Sequence, residues 1–376
     1  YYYPWMPNFI CYMYIYKMKP LLYLIYCRRP LLGAFKINFH VLWLWFFSSI
    51  LFSQNYNIGH TSANFYDDIR GRTVSSEIYY PSNIDGEDAP IYPDMFPLIV
   101  FGHGFLMSWD AYENFWSSLV PEGYILCFPT TEMGFVPNHQ DFAEDLSFLI
   151  TQMQSESEKG SSIFYNSIMA KTAIMGHSMG GGASFLAAEN NPNITTLINF
   201  AAAETVPSAI SATSGVVVPS LLFSGEDDCV SPPTINQDIM FENLSSNCKT
   251  QINILNGGHC YFANQNPFCD FGESFCNPNL SITPNEQQDI TTDFLRIWLN
   301  IYLKSDQSYL SVFNDSLQLS NRISYSQYCN NFIMEDNIIE ADILLTTDML
   351  GRVTSRPGVQ LDIYNDGTVK KRRVIK

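Results

Sequence analysis

The segment AIMGHSMGGGASFLAA, residues 173–188, joins an apolar run to an alanine-rich helical pattern through a tight glycine turn. Its centre, GHSMG, has the spacing G-x-S-x-G between a predicted strand and a predicted helix. In that context the glycines allow a turn so tight that the serine hydroxyl projects above the end of the sheet. We predict that Ser178 is a nucleophile. The alternative is a glycine-rich turn whose serine only caps the helix.

Segments typical of strands and of helices alternate between about residues 73 and 304. PLIVFGHG and YILCFPTTE are short apolar runs, whereas QDFAEDLSFLITQM repeats its apolar residues at helical spacing. This alternation predicts an α/β fold with a mostly parallel central sheet and helices on both faces. Beyond Lys304, turn signals separate alternating strands, which predicts a small C-terminal β appendage. We place the main domain at residues 54–310 and a C-terminal extension at residues 311–376.

The amino-terminal part of the chain has the pattern of a leader. Residues 1–53 contain five basic and no acidic residues, and Lys36 precedes the apolar run VLWLWFFSSILF. This run of about twelve residues is shorter than a membrane-spanning helix and typical of the core of a secretory signal peptide. We expect export to the exterior or the cell surface, with cleavage near Ser53-Gln54; an uncleaved anchor is the alternative. Residues 1–35 are expected to be a long leader or sequence that is not translated natively.

The rest of the chain is strongly acidic. The 376 residues carry a formal net charge of −17, which becomes −22 without the basic leader. Such a surface repels phosphate backbones, so nucleic acid is not an expected partner.

A serine hydroxyl needs a base, and the base needs an acid to orient it. His259, in NILNGGHCYF, directly follows the last apolar strand and is the predicted base. The acids in LLFSGEDDCVSPP lie between the serine and this histidine, in the order Ser…Asp…His. The G-x-x-D spacing favours Asp228 as the acid, with Asp227 as the alternative.

A developing oxyanion requires two backbone N–H donors. One is the residue after the nucleophile, Met179. The glycine turn FGHGF ends an early strand and makes the N–H of Phe105 the second candidate.

Seven cysteines follow the leader, and none of them forms a CxxC pair or a zinc-finger spacing. We therefore expect disulfides rather than a metal site in an exported chain. The spacing suggests the pairs Cys269–Cys276 and Cys229–Cys248. Cys127, within an apolar run, is the predicted free thiol.

The motifs together resemble one branch of the α/β-hydrolase superfamily. That branch holds cutinase-like polyester hydrolases, plasma-type platelet-activating-factor acetylhydrolases, chlorophyllases and dienelactone hydrolases. The resemblance covers about residues 57–304 and rests on GRTVSSEIYYPS, the pair Gly104-Phe105, GHSMGGGAS, VPSLLFSGEDDCVSPP and NGGHCYFAN.

By position, the resemblance implies specific roles. Ser178 would be the nucleophile, Asp228 the orienting acid and His259 the base. Phe105 and Met179 would be the oxyanion donors. It implies no cofactor.

The sequence departs from that family at two places. Polyester-degrading relatives carry a Pro-Trp pair where this chain has Pro207-Ser208, which argues against an aromatic polyester as substrate. Trp109 and Tyr261, with the Phe105 ring, are candidates to line an apolar cleft; ordinary core or rim packing is the alternative. The pattern of the cysteine-containing segment 263–284 predicts a loop insertion, which is a candidate lid.

The segment DMLGR…LDIYNDGTVKKRRVIK resembles the C-terminal sorting segments of proteins exported by the type IX secretion system. The resemblance implies secretion machinery as a partner of the tail. A β-hairpin that completes the domain is the alternative.

These features favour a secreted serine carboxylester hydrolase that forms an acyl-enzyme, with a lipid, small-acyl or polyester-type ester as substrate. An amidase or thioesterase would use the same residues. A non-catalytic surface binding module of this fold is the alternative from another class. A cysteine-nucleophile hydrolase is disfavoured because the turn carries serine.

Overall fold

The computed structural model describes residues 10–14, 24–28, 55–276, 280–329, 343–347, 358–364 and 369–374. The chain divides into two units, Tyr1–Ser53 and Gln54–Lys376. In the first unit, strands β1 (Ile10–Tyr14) and β2 (Leu24–Arg28) pair antiparallel. The predicted signal-peptide core, residues 41–52, lies outside the described residues.

The second unit contains a ten-stranded sheet with the order β12-β11-β10-β9-β8-β6-β7-β4-β3-β5. Its six central strands, β7-β6-β8-β9-β10-β11, are all parallel, and antiparallel pairs occur toward both edges. The strands are β3 (Asn57–Asp67), β4 (Arg72–Ser82), β5 (Gly86–Glu87), β6 (Phe96–Gly102), β7 (Ile125–Pro129), β8 (Ile168–His177), β9 (Thr196–Phe200), β10 (Ser220–Gly225), β11 (Cys248–Ile254) and β12 (Ile323–Cys329).

Helices cover both faces of this sheet, as predicted. They are α1 (Glu113–Leu119), α2 (His139–Glu158), α3 (Met179–Ala188), α4 (Ala209–Ala212), α5 (Gln237–Asn243), α6 (Pro267–Ser274), α7 (Pro284–Tyr302) and α8 (Tyr309–Leu319). None of the helices in the described ranges is long and apolar enough to span a membrane.

The central strands are largely buried because each of their two faces packs against helices. Along β8, Ala173 and Met175 belong to the core under α1 and α7, whereas Ile174 belongs to the core under α2 and α3. The carboxyl ends of these parallel strands meet at one edge of the sheet, and ligand sites in open α/β sheets lie there.

The sheet continues past residue 310, where we expected the main domain to end. Strand β12 pairs antiparallel with β11, and the Cys248–Cys329 disulfide joins the two strands. Helix α8 packs on α7 through the rings of Phe313 and Phe294. Farther on, β13 (Ile343–Thr347), β14 (Gly358–Tyr364) and β15 (Val369–Val374) form a separate three-stranded antiparallel sheet, the small β appendage that we predicted.

The disulfides differ from both predicted pairs. The bonded pairs are Cys229–Cys276, Cys248–Cys329 and Cys260–Cys269. The prediction that Cys127 is a free, buried thiol is confirmed.

Geometry explains both errors. Cys269 and Cys276 are about two helical turns apart on α6 and its end, which separates them by ~10 Å along the helical rise. Disulfide partners need Cα atoms within about 7 Å. Cys229 follows the carboxyl end of β10, whereas Cys248 begins the parallel strand β11. These cysteines therefore lie at opposite ends of two neighbouring parallel strands.

Candidate active site

The predicted strand–serine–helix turn forms between β8 and α3. Ser178 has φ 54° and ψ −119°, a backbone conformation that L residues rarely adopt. Its N–H donates to the Phe200 carbonyl oxygen at 3.0 Å. A Cβ on Gly176 would lie 2.2 Å from the Gly180 carbonyl oxygen, and one on Gly180 would lie 2.1 Å from the Gly102 carbonyl oxygen. The glycines are therefore needed because backbones touch at this turn.

The structure brings Ser178, His259 and Asp228 together at the carboxyl edge of the sheet. The Oγ atom of Ser178 lies 2.8 Å from Nε2 of His259, and Nδ1 of His259 lies 2.8 Å from Oδ2 of Asp228. The three residues are 9%, 2% and 4% exposed, so the hydrogen bonds are largely shielded from water. Because a carboxylate only accepts, the Nδ1–H of His259 faces Asp228, and Nε2 is left to accept the serine proton.

Asp228, rather than the alternative Asp227, is the acid that contacts the histidine. Its second oxygen, Oδ1, accepts the backbone N–H groups of Val230 at 2.9 Å and Ser231 at 2.8 Å. These bonds fix the carboxylate toward His259. Asp227 is exposed, and its N–H donates to the Gly257 carbonyl oxygen.

The two predicted oxyanion donors lie on separate turns at this edge. Met179 is the first residue of α3, and Phe105 follows the glycine turn after β6. Among the described residues, neither the Phe105 N–H nor the Met179 N–H has a hydrogen-bond acceptor. The Phe105 ring is 44% exposed.

Two buried side chains that we did not predict connect the turn before Phe105 to the histidine. The hydroxyl of Tyr112 accepts the Gly104 N–H at 2.7 Å and lies 3.0 Å from Nδ1 of His177. Nε2 of His177 lies 3.0 Å from the His259 carbonyl oxygen, so this nitrogen must donate. Tyr112 then donates to Nδ1. Burial, and secondarily the neighbouring His259, lowers the pKa of His177 well below its ordinary value.

The insertion at 263–284 contains a helix and is not the loop that we predicted. Helix α6 is bonded to the main domain through Cys260–Cys269 and Cys229–Cys276. Its buried Glu273 accepts the backbone N–H of His259. The sequence offered one signal for this arrangement: Cys229 directly follows Asp228, and Cys260 directly follows His259.

The predicted cleft residues occupy different surroundings. Trp109 is partly buried against the core, and its indole N–H donates to the hydroxyl of Tyr79 at 3.1 Å. Tyr261 lines a cavity of about 500 Å³ beside α6, together with Asp270 and Glu273. Ser208 caps the short helix α4, because its hydroxyl accepts the Ser211 N–H. This chain therefore has a small capping side chain where we noted a tryptophan in polyester-degrading relatives.

Comparison with known proteins assigns the chain to a family. The family model described as PETase, PET hydrolase-like, matches residues 70–275, which is more than half of the chain. The matched range contains the serine turn, the acid and the histidine described above. No curated protein matches the sequence. The chain therefore belongs to the PET hydrolase-like family, a family of hydrolases of the α/β-hydrolase type.

Proposed function

We propose that the chain is a secreted serine carboxylester hydrolase that acts through Ser178, His259 and Asp228. One observation carries the proposal: the unbroken hydrogen-bond chain from Ser178 Oγ through the imidazole to the Asp228 carboxylate. Membership of a hydrolase family supports it independently.

In the acylation step, Nε2 of His259 removes the Ser178 hydroxyl proton as Oγ attacks the ester carbonyl carbon. Asp228 holds the imidazole in the required tautomer and stabilises the imidazolium. The oxyanion of the tetrahedral intermediate accepts the N–H groups of Met179 and Phe105. Removing one donor of this kind typically costs ~10²–10³ in rate. The imidazolium then gives its proton to the leaving alcohol, and an acyl-serine remains.

Deacylation repeats these steps with water. His259 removes a proton from water, the hydroxide attacks the acyl-serine, and the serine oxygen leaves with the proton from the imidazolium. The products are the carboxylic acid and the free enzyme. No cofactor enters either half of the reaction.

The proposed substrates are carboxylic esters of the lipid, small-acyl or polyester type. The half-exposed Phe105 ring beside the proposed donors supports a substrate with an apolar portion. Ser208 offers a substrate no ring to stack on, which favours aliphatic over aromatic acyl groups.

Secretion is part of the proposal. Three disulfides in the described part of the chain are typical of proteins that mature in an oxidising compartment. The basic, apolar leader supports a signal peptide, and the C-terminal segment is proposed to engage secretion machinery.

The test is the initial rate of hydrolysis of p-nitrophenyl esters from acetate to palmitate, measured for wild type and Ser178→Ala. We expect the variant to lose ~10⁶ in kcat, as in comparable triads. Ser211→Ala, which changes an exposed serine on α4, is the matched control and should retain wild-type turnover. A Ser178→Ala protein with more than a tenth of the wild-type rate would overturn the assignment.

A further inference from the structure

Helix α6 is bonded to both of the loops that carry the proposed acid and base. Cys229, the residue after Asp228, is bonded to Cys276, just beyond the end of α6. Cys260, the residue after His259, is bonded to Cys269 in the first turns of α6. Because each cross-link begins one residue from a triad member, α6 is fixed relative to both of them.

The side chain that α6 presents to these loops is a buried carboxylate. Glu273 is 4% exposed, and its Oε1 accepts the backbone N–H of His259. The Cys260 N–H also faces the carboxylate. A Cβ on Gly258 would lie 2.5 Å from Oε1 of Glu273 and closer still to Cδ1 of Leu280, so the glycine before the histidine leaves room for this close approach.

We propose that Glu273 is a positioning residue for the catalytic histidine: its carboxylate oxygen holds the backbone of His259 so that the imidazole stays aligned between Ser178 and Asp228. This inference rests on the proposed function of the triad. It assigns α6 the role of holding the histidine loop in place; the sequence suggested a lid as one candidate role for this insertion.

Attachment of α6 to the domain does not by itself explain why a carboxylate is buried at position 273. Burying a carboxylate is costly unless it is hydrogen-bonded, and two disulfides already attach α6 to the domain. The titratable groups that face Glu273 are His259 and Asp228, together with Tyr261. Burial raises the pKa of Glu273, but a protonated carboxyl group keeps a carbonyl oxygen that accepts the same N–H. The positioning contact is therefore independent of the charge on Glu273.

The test compares Glu273→Ala, Glu273→Gln and Glu273→Asp with wild type, using kcat and KM on p-nitrophenyl butyrate. Glu273→Ala removes the acceptor, and we expect kcat to fall ~10–100-fold with KM within about twofold, because small misplacements of a catalytic group are this costly. Glu273→Gln offers an amide oxygen at the same place and should stay within about fivefold of wild type. Asp289→Ala removes an exposed carboxylate from α7 and is the control, with unchanged kinetics expected.

The outcomes separate the possibilities. A folded Glu273→Ala protein with kcat within threefold of wild type, or a loss confined to KM, overturns the inference. So does a Glu273→Gln protein as slow as Glu273→Ala, since the acceptor would then be irrelevant. If Glu273→Ala does not fold, Glu273→Asp tests the inference instead, because its side chain is one methylene shorter and places the oxygen farther from the His259 N–H. A tenfold loss of kcat in Glu273→Asp supports the inference, and wild-type kcat refutes it. Absence of Ser178-dependent turnover in wild type overturns the proposed function and this inference with it.

Discussion

The three disulfides should affect stability and activity differently, because the one with the longest loop begins far from the triad, whereas each of the other two begins one residue from a triad member. The pairs Cys248–Cys329, Cys229–Cys276 and Cys260–Cys269 span 81, 47 and 9 residues. Loop-closure entropy at 25 °C then gives ~4.5, ~4 and ~2.6 kcal/mol of stabilisation, respectively.

The longest of these cross-links lies far from the proposed catalytic groups. Cys248 begins β11 at the amino edge of the sheet, whereas His259 follows the carboxyl end of the same strand. Seven residues of strand separate these edges by ~23 Å. The shortest cross-link, at Cys260, begins directly after the histidine.

The perturbation is the paired replacement of each disulfide by serine. For a domain of this size about 2 °C of Tm corresponds to 1 kcal/mol. We therefore expect Tm to fall by ~10 °C in Cys248→Ser/Cys329→Ser and by ~5 °C in Cys260→Ser/Cys269→Ser. The effect on kcat should be reversed: within twofold of wild type for the first pair and ~10-fold lower for the second, because the histidine loop loses its anchor.

The assays are thermal unfolding by circular dichroism and initial rates on p-nitrophenyl butyrate well below each Tm. The matching Cys→Ala pairs are the control that separates the lost cross-link from the cost of a buried hydroxyl. If Cys248→Ser/Cys329→Ser lowers kcat as much as Cys260→Ser/Cys269→Ser, the local role of the disulfide at the histidine is refuted. If the order of Tm is reversed, the loop-entropy reasoning is refuted.

Two further predictions concern the network behind the histidine. Tyr112→Phe leaves the buried Gly104 N–H and His177 Nδ1 without partners, so we expect ~2 kcal/mol lower stability and ~10-fold lower kcat. Tyr124→Phe is the control, since that buried hydroxyl has no partner in the described chain and its loss should be neutral in both assays. His177 has a lowered pKa in the folded state, so its contribution to stability is present above the unfolded-state pKa near 6.5 and lost as pH falls below it. The His177 contribution to the free energy of unfolding should fall with a slope that approaches ~1.4 kcal/mol per pH unit. Urea unfolding of wild type and His177→Gln from pH 7.5 to 5 measures it as the difference between the two slopes. Identical slopes for the two proteins would contradict the prediction.

The sheet and its serine turn were predictable because their sequence signals are local. Strands buried on both faces are typically apolar, so runs such as PLIVF and TAIM indicate strands without any knowledge of their neighbours. The turn at Ser178 requires glycines because backbone atoms approach to contact distance there. The acid and the histidine also follow strands directly, so both lie near the carboxyl ends of neighbouring parallel strands.

The cross-links and the network behind the histidine were not predictable, because both depend on how distant segments fold back. Spacing alone favoured Cys269–Cys276, but helix formation in the insertion holds those two sulfur atoms apart. The sequence also gives no reason to connect Tyr112 with His177, which are 65 residues apart. The chemistry of Trp109 made it a cleft candidate, but no sequence signal indicated that its indole N–H donates to the hydroxyl of Tyr79.

The two halves of the candidate site are held by different kinds of interaction. Ser178 and the N–H of Met179 are fixed by backbone packing at the turn 176–180, where a Cβ on Gly176 or Gly180 would collide with main-chain atoms. The acid and the histidine lie on longer connections whose positions depend on Glu273 and the two cross-links to α6. Catalysis of the proposed kind needs the serine and the histidine aligned to a fraction of an ångström. The proposed catalysis therefore depends on two separate supports, the packed glycine turn at the serine and the contacts of α6 with the loops that carry the acid and the histidine.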